Sequence, residues 1–135
     1  MLEIIVVLMT IGLLSAVAIS KIDSPQSYSA LAEADILKMH LRYAQIRALG
    51  DNVSWSISFS GNTYTLQQGG STPYNLPNEN SPTHQAQRDD TTFSGGPVAY
   101  DEWGSPGTQD INIAISQGGE TVRTVTVTKN TGFIP

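Results

Sequence analysis

The sequence predicts an α+β protein in which a long N-terminal helix leads into a small antiparallel β domain. Three observations carry that expectation. The first twenty residues form one apolar run broken by a single charge, Glu3. A helical period then runs from Ser29 to Leu49 and stops at Gly50. From Val53 the period changes to two, with apolar and serine residues in strict alternation. The boundaries read from these patterns are an apolar helix over 1–23, an amphipathic continuation over 24–50 and a β domain over 51–135 with a long loop at 67–97.

The apolar run, MLEIIVVLMTIGLLSAVAIS, reaches the length a bilayer span requires, about 20 mostly apolar residues. Ala16-Val17-Ala18 has the small residues of a signal-peptide cleavage site, but such a signal has a basic leading region, and the charge ahead of this apolar stretch is acidic. A surface helix would show a polar face, which this segment lacks. A retained membrane-capable helix is therefore the expectation. An acidic group on such a helix costs about 2.5–3.5 kcal/mol at the bilayer centre, and less near the interface. With no basic residue nearby in the sequence, Glu3 calls for a partner on another molecule.

Ser24-Pro25 follows the run. Proline is disfavoured inside a helix and welcome at the first helical position after a serine cap. The pair either ends one helix and starts another or marks a weak point in one long helix. Gly12 is a second soft spot, worth about 1 kcal/mol of helix propensity relative to alanine.

Between Ser29 and Leu49 two apolar stripes share one helix: Ala34, Leu37, Leu41, Ala44 and Ala48 form the first, and Ile36, Met39, Tyr43 and Ile46 the second. Glu33, His40 and Arg47, seven apart, run between them, opposite a polar face of Asp35, Lys38, Arg42 and Gln45. One stripe is enough to dock a helix on its own sheet. Two fit a helix that packs its sheet on one side and other subunits on the other, against the plainer reading of one wide core face with a snorkelling Arg47.

In the β region, Val53, Trp55, Ile57 and Phe59 predict an inward face, Ser60-Gly61-Asn62 a turn, and Tyr64 and Leu66 a return strand. Val98 and Tyr100 suggest a third strand, Ile111–Ile115 a fourth, and Val122–Val127 a fifth with a bulge near Arg123-Thr124 where its parity changes. The expected result is one antiparallel sheet, or two small ones, on the second helix. Residues 67–97 are rich in Gly, Pro, Ser, Thr and Asn and read as a long surface loop.

Composition narrows the function classes. The net charge of −5 and the seven scattered basic residues argue against a nucleic-acid surface. The absence of cysteine removes disulfides, zinc-thiolate sites and haem attachment. No catalytic constellation stands out and no cofactor is expected. His40 reads as a packing or pairing residue and His84 as a solvated loop residue. Asp89-Asp90 and Asp101-Glu102 offer oxygens to calcium, but adjacent loop acids fall short of its 6–8 ligands, and no metal site is expected. Asn52-Val53-Ser54 matches a glycosylation sequon at the entry to a strand.

Glu3 followed by IIVVLMTIGLLSAVAI resembles the N-terminal segment shared by type IV pilins and type II secretion pseudopilins. That family's mature chains usually start Phe-Thr-Leu-Ile-Glu, so Leu2-Glu3 corresponds to the end of its pattern, and Gly12 falls where the family often has glycine. Two residues precede Glu3 instead of four, and Met1 stands where the family has an interior residue. The distal pattern, with Tyr100-Asp101-Glu102-Trp103-Gly104 before two strands and Asn130-Thr131-Gly132 after them, resembles FimT/GspH-type minor subunits.

The resemblance implies a pilin-like fold whose N-terminal helix resides in the inner membrane as a single pass and later forms the core of a periplasmic or extracellular filament. It implies no enzymatic activity. The partners it implies are copies of the chain or other pilins and pseudopilins, an inner-membrane assembly platform, a separate cytoplasmic ATPase and a prepilin peptidase that also methylates the new N-terminus. Glu3, Gly12 and Pro25 are the assembly candidates, and Leu37, Leu41, Ile36, Met39 and Tyr43 the helix-packing candidates. A DNA-binding minor pilin of the DNA-uptake machinery is the alternative. Members of that sort carry an Arg-rich tail, whereas here Arg123 and Lys129 are the only nearby basic groups.

Overall fold

The computed structural model describes the backbone of residues 1–20 and 25–135 and the side chains of residues 1–16 and 28–135. It contains two helical pieces, α1 (Leu2–Ser20) and α2 (Pro25–Asp51), followed by eight strands: β1 (Trp55–Ser60), β2 (Thr63–Gln68), β3 (Thr72–Pro73), β4 (Thr83–Gln85), β5 (Thr91–Ser94), β6 (Val98–Tyr100), β7 (Ile111–Gln117) and β8 (Glu120–Val127). Of the expected break at Ser24-Pro25, Ser24 lies outside the described residues and Pro25 opens α2. The second helix ends at Asp51 rather than Gly50, because Asn52 takes the left-handed conformation (φ 55°) that closes a helix at its C′ position.

The strands form two antiparallel sheets. In the first, β1 lies between β2 and β6, and β2 also pairs with the short β3 and β4. In the second, β7 lies between β5 and β8. Two tight hairpins set the registers. Ser60 pairs with Thr63 across Gly61-Asn62, with Gly61 at φ 60°, as a type II′ turn requires. Gln117 pairs with Glu120 across Gly118 and Gly119, both at positive φ. The parity change in β8 is a bulge: Ile115 faces Arg123 while Ser116 faces Thr121, which leaves Val122 as the extra residue, just before the expected site.

The stripe Ala34, Leu37, Leu41, Ala44 and Ala48 is buried, and α2 packs against β1, β6, β7 and β8. Sheet partners share the inner face in register: Trp55 with Tyr100, Ile57 with Val98 and Leu66, Ile113 with Val125, and Phe93 with Ile115. Phe59 departs from the alternation. It is only half-buried, tilted against Tyr64 at 6.0 Å.

Residues 67–97 differ most from expectation. They carry β3, β4 and β5 and are pinned to the sheets by backbone bonds, Leu66 N–H to Pro82, Ala86 N–H to Asn62 and Phe93 N–H to Gly61. Leu76, Ala86 and Phe93 are buried. The strands have two to four residues, too short for a period-two pattern to show in sequence.

Candidate functional site

Two regions stand out chemically. The first is α1. Every large apolar side chain from Leu2 to Leu14 is more than half exposed, from Val6 at 52% to Leu2 at 77%. The exposure runs around the whole helix. The Thr10 and Ser15 hydroxyls of α1 are satisfied within it: Thr10 Oγ1 donates to the Val7 carbonyl and Ser15 Oγ to the Ile11 carbonyl, both at 2.8 Å. These two hydroxyls add little polar cost in an apolar surrounding, which leaves Glu3 as the costly group. Glu3 lies in its first turn with no ion-pair partner among the described residues. A Cβ added at Gly12 would meet nothing within 4 Å, so nothing described in the chain itself requires glycine there. Among the described residues no helix is long and apolar enough to cross a membrane; the described side chains of α1 end at Ala16, and the apolar letters run on to Ile19.

Of the helix-packing candidates, Leu37 and Leu41 are fully buried against the sheets, Ile36 and Tyr43 are partly exposed and Met39 is exposed, with Ile46 and Leu49 exposed further along α2. Arg47 does more than snorkel. It bonds Asp51 at 3.0 Å and its guanidinium lies 5.0 Å from the Trp55 ring and 5.3 Å from Tyr74.

The two glycine turns marked in the sequence meet in space. Asp101 Oδ1 accepts the N–H groups of Trp103 and Ser105, shaping the first turn. Gln45 of α2 then donates to both turns, to the Gly104 carbonyl at 2.9 Å and the Thr131 carbonyl at 2.8 Å, and Arg42 holds the Ile134 carbonyl at 3.0 Å. Trp103 and Phe133 stand exposed on these turns.

The second region is a buried polar cluster between α2 and the 67–97 segment. Glu33 and His40, seven residues apart on one side of α2, are 2% and 1% exposed. β4 pairs with β2 so that His84 sits opposite Tyr64, their rings stacked at 4.9 Å. His84 is 8% exposed, which corrects its reading as a solvated loop residue. Its Nε2 bonds Glu33 Oε2 at 2.8 Å, its Nδ1 is in close contact with Glu79 Oε1, and the second Glu33 oxygen accepts the Gln87 N–H at 2.8 Å. His40 Nδ1 and the Tyr64 hydroxyl are 2.7 Å apart. His40 Nε2 is buried and makes no hydrogen bond of good geometry, although the Pro77 backbone acts on the His40 ring.

The environment shifts each group. Burial would raise the Glu33 carboxyl, but hydrogen bonds from His84 and the Gln87 backbone hold it below the usual carboxylate range. The bond to Glu33 raises His84 above an ordinary histidine despite its burial. Burial depresses His40 and raises Tyr64. Reading from sequence missed this cluster. Glu33 and His40 gave a signal, an acid and a histidine between two apolar stripes, but Glu79 and His84 reach them only through the tertiary fold.

An apolar N-terminal helix, a second helix laid on antiparallel sheets and two glycine turns clamped to that helix define a pilin-like α+β fold. Crystal structures of the type IV minor pilin FimU of Pseudomonas aeruginosa share it. In one crystal form the TM-score is 0.58 at 19% identity, over 78% of this chain and 85% of that one. In a second form the TM-score is 0.57 at 19% identity, over 78% and 90%. No protein-family model matches the sequence, and no curated protein matches it significantly.

Proposed function

We propose that this chain is a structural subunit of a type IV pilus or type II secretion pseudopilus, assembled through α1. The observation that supports this best is an apolar helix exposed all round over its described side chains, with its Thr10 and Ser15 hydroxyls satisfied internally, on a chain with a pilin-like β domain. Covering such side chains is worth about 1.5–3 kcal/mol each. The candidate covers are lipid, in an inner-membrane store, and the corresponding helices of other subunits once the filament forms.

Each assembly candidate then has a role. Glu3 meets a cationic group of a neighbouring subunit; pairing offsets its desolvation and fixes register more than it adds stability. Gly12, which has open space around it in the single chain, lets a neighbouring helix approach closely. Pro25 opens α2 at the first helical position, where proline is tolerated, and so marks where the second helical piece begins. Leu37 and Leu41 hold α2 on its own sheets, Ile36 and Met39 face neighbouring subunits, and Tyr43, packed edge-on to Trp55 at the margin of the core, borders that face. Insertion into the membrane, processing and methylation by a prepilin peptidase, and handling by an inner-membrane platform follow from the same reading.

Fractionation of cells producing Glu3→Val tests it. The substitution makes α1 more apolar, so membrane insertion is retained or improved. Incorporation into sheared filaments is expected to fall sharply while the variant accumulates in the membrane pellet. Normal incorporation would leave Glu3 as an ordinary interfacial acid and remove the assembly role.

A further inference from the structure

We propose that His40, Glu79 and His84 form a zinc site that staples the 67–97 segment to α2. Each of the three offers a ligand atom, and those atoms lie within 4.8 Å of one another. Ligands of a tetrahedral zinc stand about 3.3 Å apart, given Zn–N and Zn–O bonds of about 2.0–2.2 Å. Closure on an ion thus needs movements of about 1.5 Å or less, within reach of side-chain torsions.

The arrangement around the three is that of a supported metal centre. Metal-bound histidines generally donate their second ring N–H to a fixed acceptor, which sets tautomer and ring orientation. Both histidines have such a neighbour. Glu33 Oε2 lies at His84 Nε2, and is itself held by the Gln87 N–H, so His84 presents Nδ1 toward Glu79. The Tyr64 hydroxyl lies at His40 Nδ1, which leaves Nε2 as the ligand, a buried atom without a good hydrogen bond of its own. A buried polar nitrogen left in that condition is costly, and coordination resolves it.

Charge points the same way. Zinc would displace the ring proton that His84 shares with Glu79; with both imidazoles then neutral, Glu33 and Glu79 carry −2, which a divalent cation cancels. The donor set of two imidazole nitrogens and a carboxylate suits zinc and excludes the hard, oxygen-seeking calcium and magnesium. The fourth position falls to water or the second Glu79 oxygen. In a chain without cysteine, the ion would serve as the cross-link between β4, the preceding turn and the helix.

The full-length protein in detergent, stripped with a chelator and dialysed, is titrated with zinc and separately with calcium. The expected result is saturable binding of one zinc per chain, no calcium binding, and a melting temperature that rises with zinc. His40→Ala should abolish the site. Glu79→Gln, at a partly exposed position, keeps the metal-free fold and should bind zinc at least tenfold more weakly. Glu33→Gln should weaken it about 10–100-fold, the effect of removing an outer-shell partner. Absence of one-to-one binding in the unaltered protein, or undiminished binding by Glu79→Gln, would overturn the proposal and leave the cluster as a purely hydrogen-bonded one.

Discussion

Replacing Gly132 with alanine tests the junction between the two glycine turns. Gly132 has φ 65°, and a Cβ built there would stand 2.6 Å from the Gly104 carbonyl oxygen and 3.0 Å from Tyr100 Cε1, and would overlap the Gln45 amide. Two costs follow. Holding alanine in the left-handed region costs about 1–2 kcal/mol. Relieving the overlap requires moving backbone and the Gln45 amide that bonds both turns, an overpacking cost of about 1–3 kcal/mol. The sum is about 2–5 kcal/mol. For a chain of this size each kcal/mol lowers the melting temperature by roughly 4 °C, so a drop of about 8–20 °C is expected. Gly118→Ala supplies the control: its φ is 61°, but an added Cβ meets nothing within 4 Å, so it carries only the first cost. Thermal melts of the two variants by circular dichroism make the comparison. Equal destabilisation would refute the close approach of the two turns and with it the clamping role of Gln45.

Ile57→Ala should cost about 2–5 kcal/mol, since Ile57 is fully buried between Val98 and Leu66 against α2, whereas Ser58→Ala should stay within about 0.5 kcal/mol. Denaturant melts check the pair, and similar losses on both faces would mean the alternation is misread. The purified protein should give no salt-sensitive shift of duplex DNA at physiological ionic strength. The sequence holds only seven basic residues, and Arg42, Arg47 and Arg88 among them are engaged with Ile134, Asp51 and Asp90, a poor supply for a phosphate track. Micromolar binding lost on changing Arg123 and Lys129 to alanine would favour the DNA-uptake reading instead.

What was legible in the sequence was whatever repeats at a fixed local spacing. The α2 stripe, the serine alternation of β1 and the paired glycines of the β7–β8 hairpin all encode their geometry within a few residues. The segment 67–97 does not, because its strands are held by partners elsewhere in the chain and by three buried anchors, not by a period of their own. The buried cluster was hidden for the same reason: Glu33 and His84 are 51 residues apart in sequence, and a histidine in a polar stretch looks solvated until β4 pairs with β2. Arg47 illustrates a third case. Its charge suggested the surface, but its flat guanidinium is placed by aromatic rings from β1 and from the following segment.

The clamp between α2 and the distal turns also bears on the order in which the molecule can be completed. Gln45 meets Thr131 across 86 residues and Arg42 meets Ile134 across 92, so these bonds join segments far apart in the sequence. Contacts of such separation carry the largest loop-closure entropy and form late. A chain lacking residues 128–134 would keep the α2 stripe buried on the sheets but lose the Thr131 and Ile134 acceptors of Gln45 and Arg42. Closing of this clamp is therefore expected after α2 has docked on the sheets, as a late step that ties the 128–134 segment to the helix.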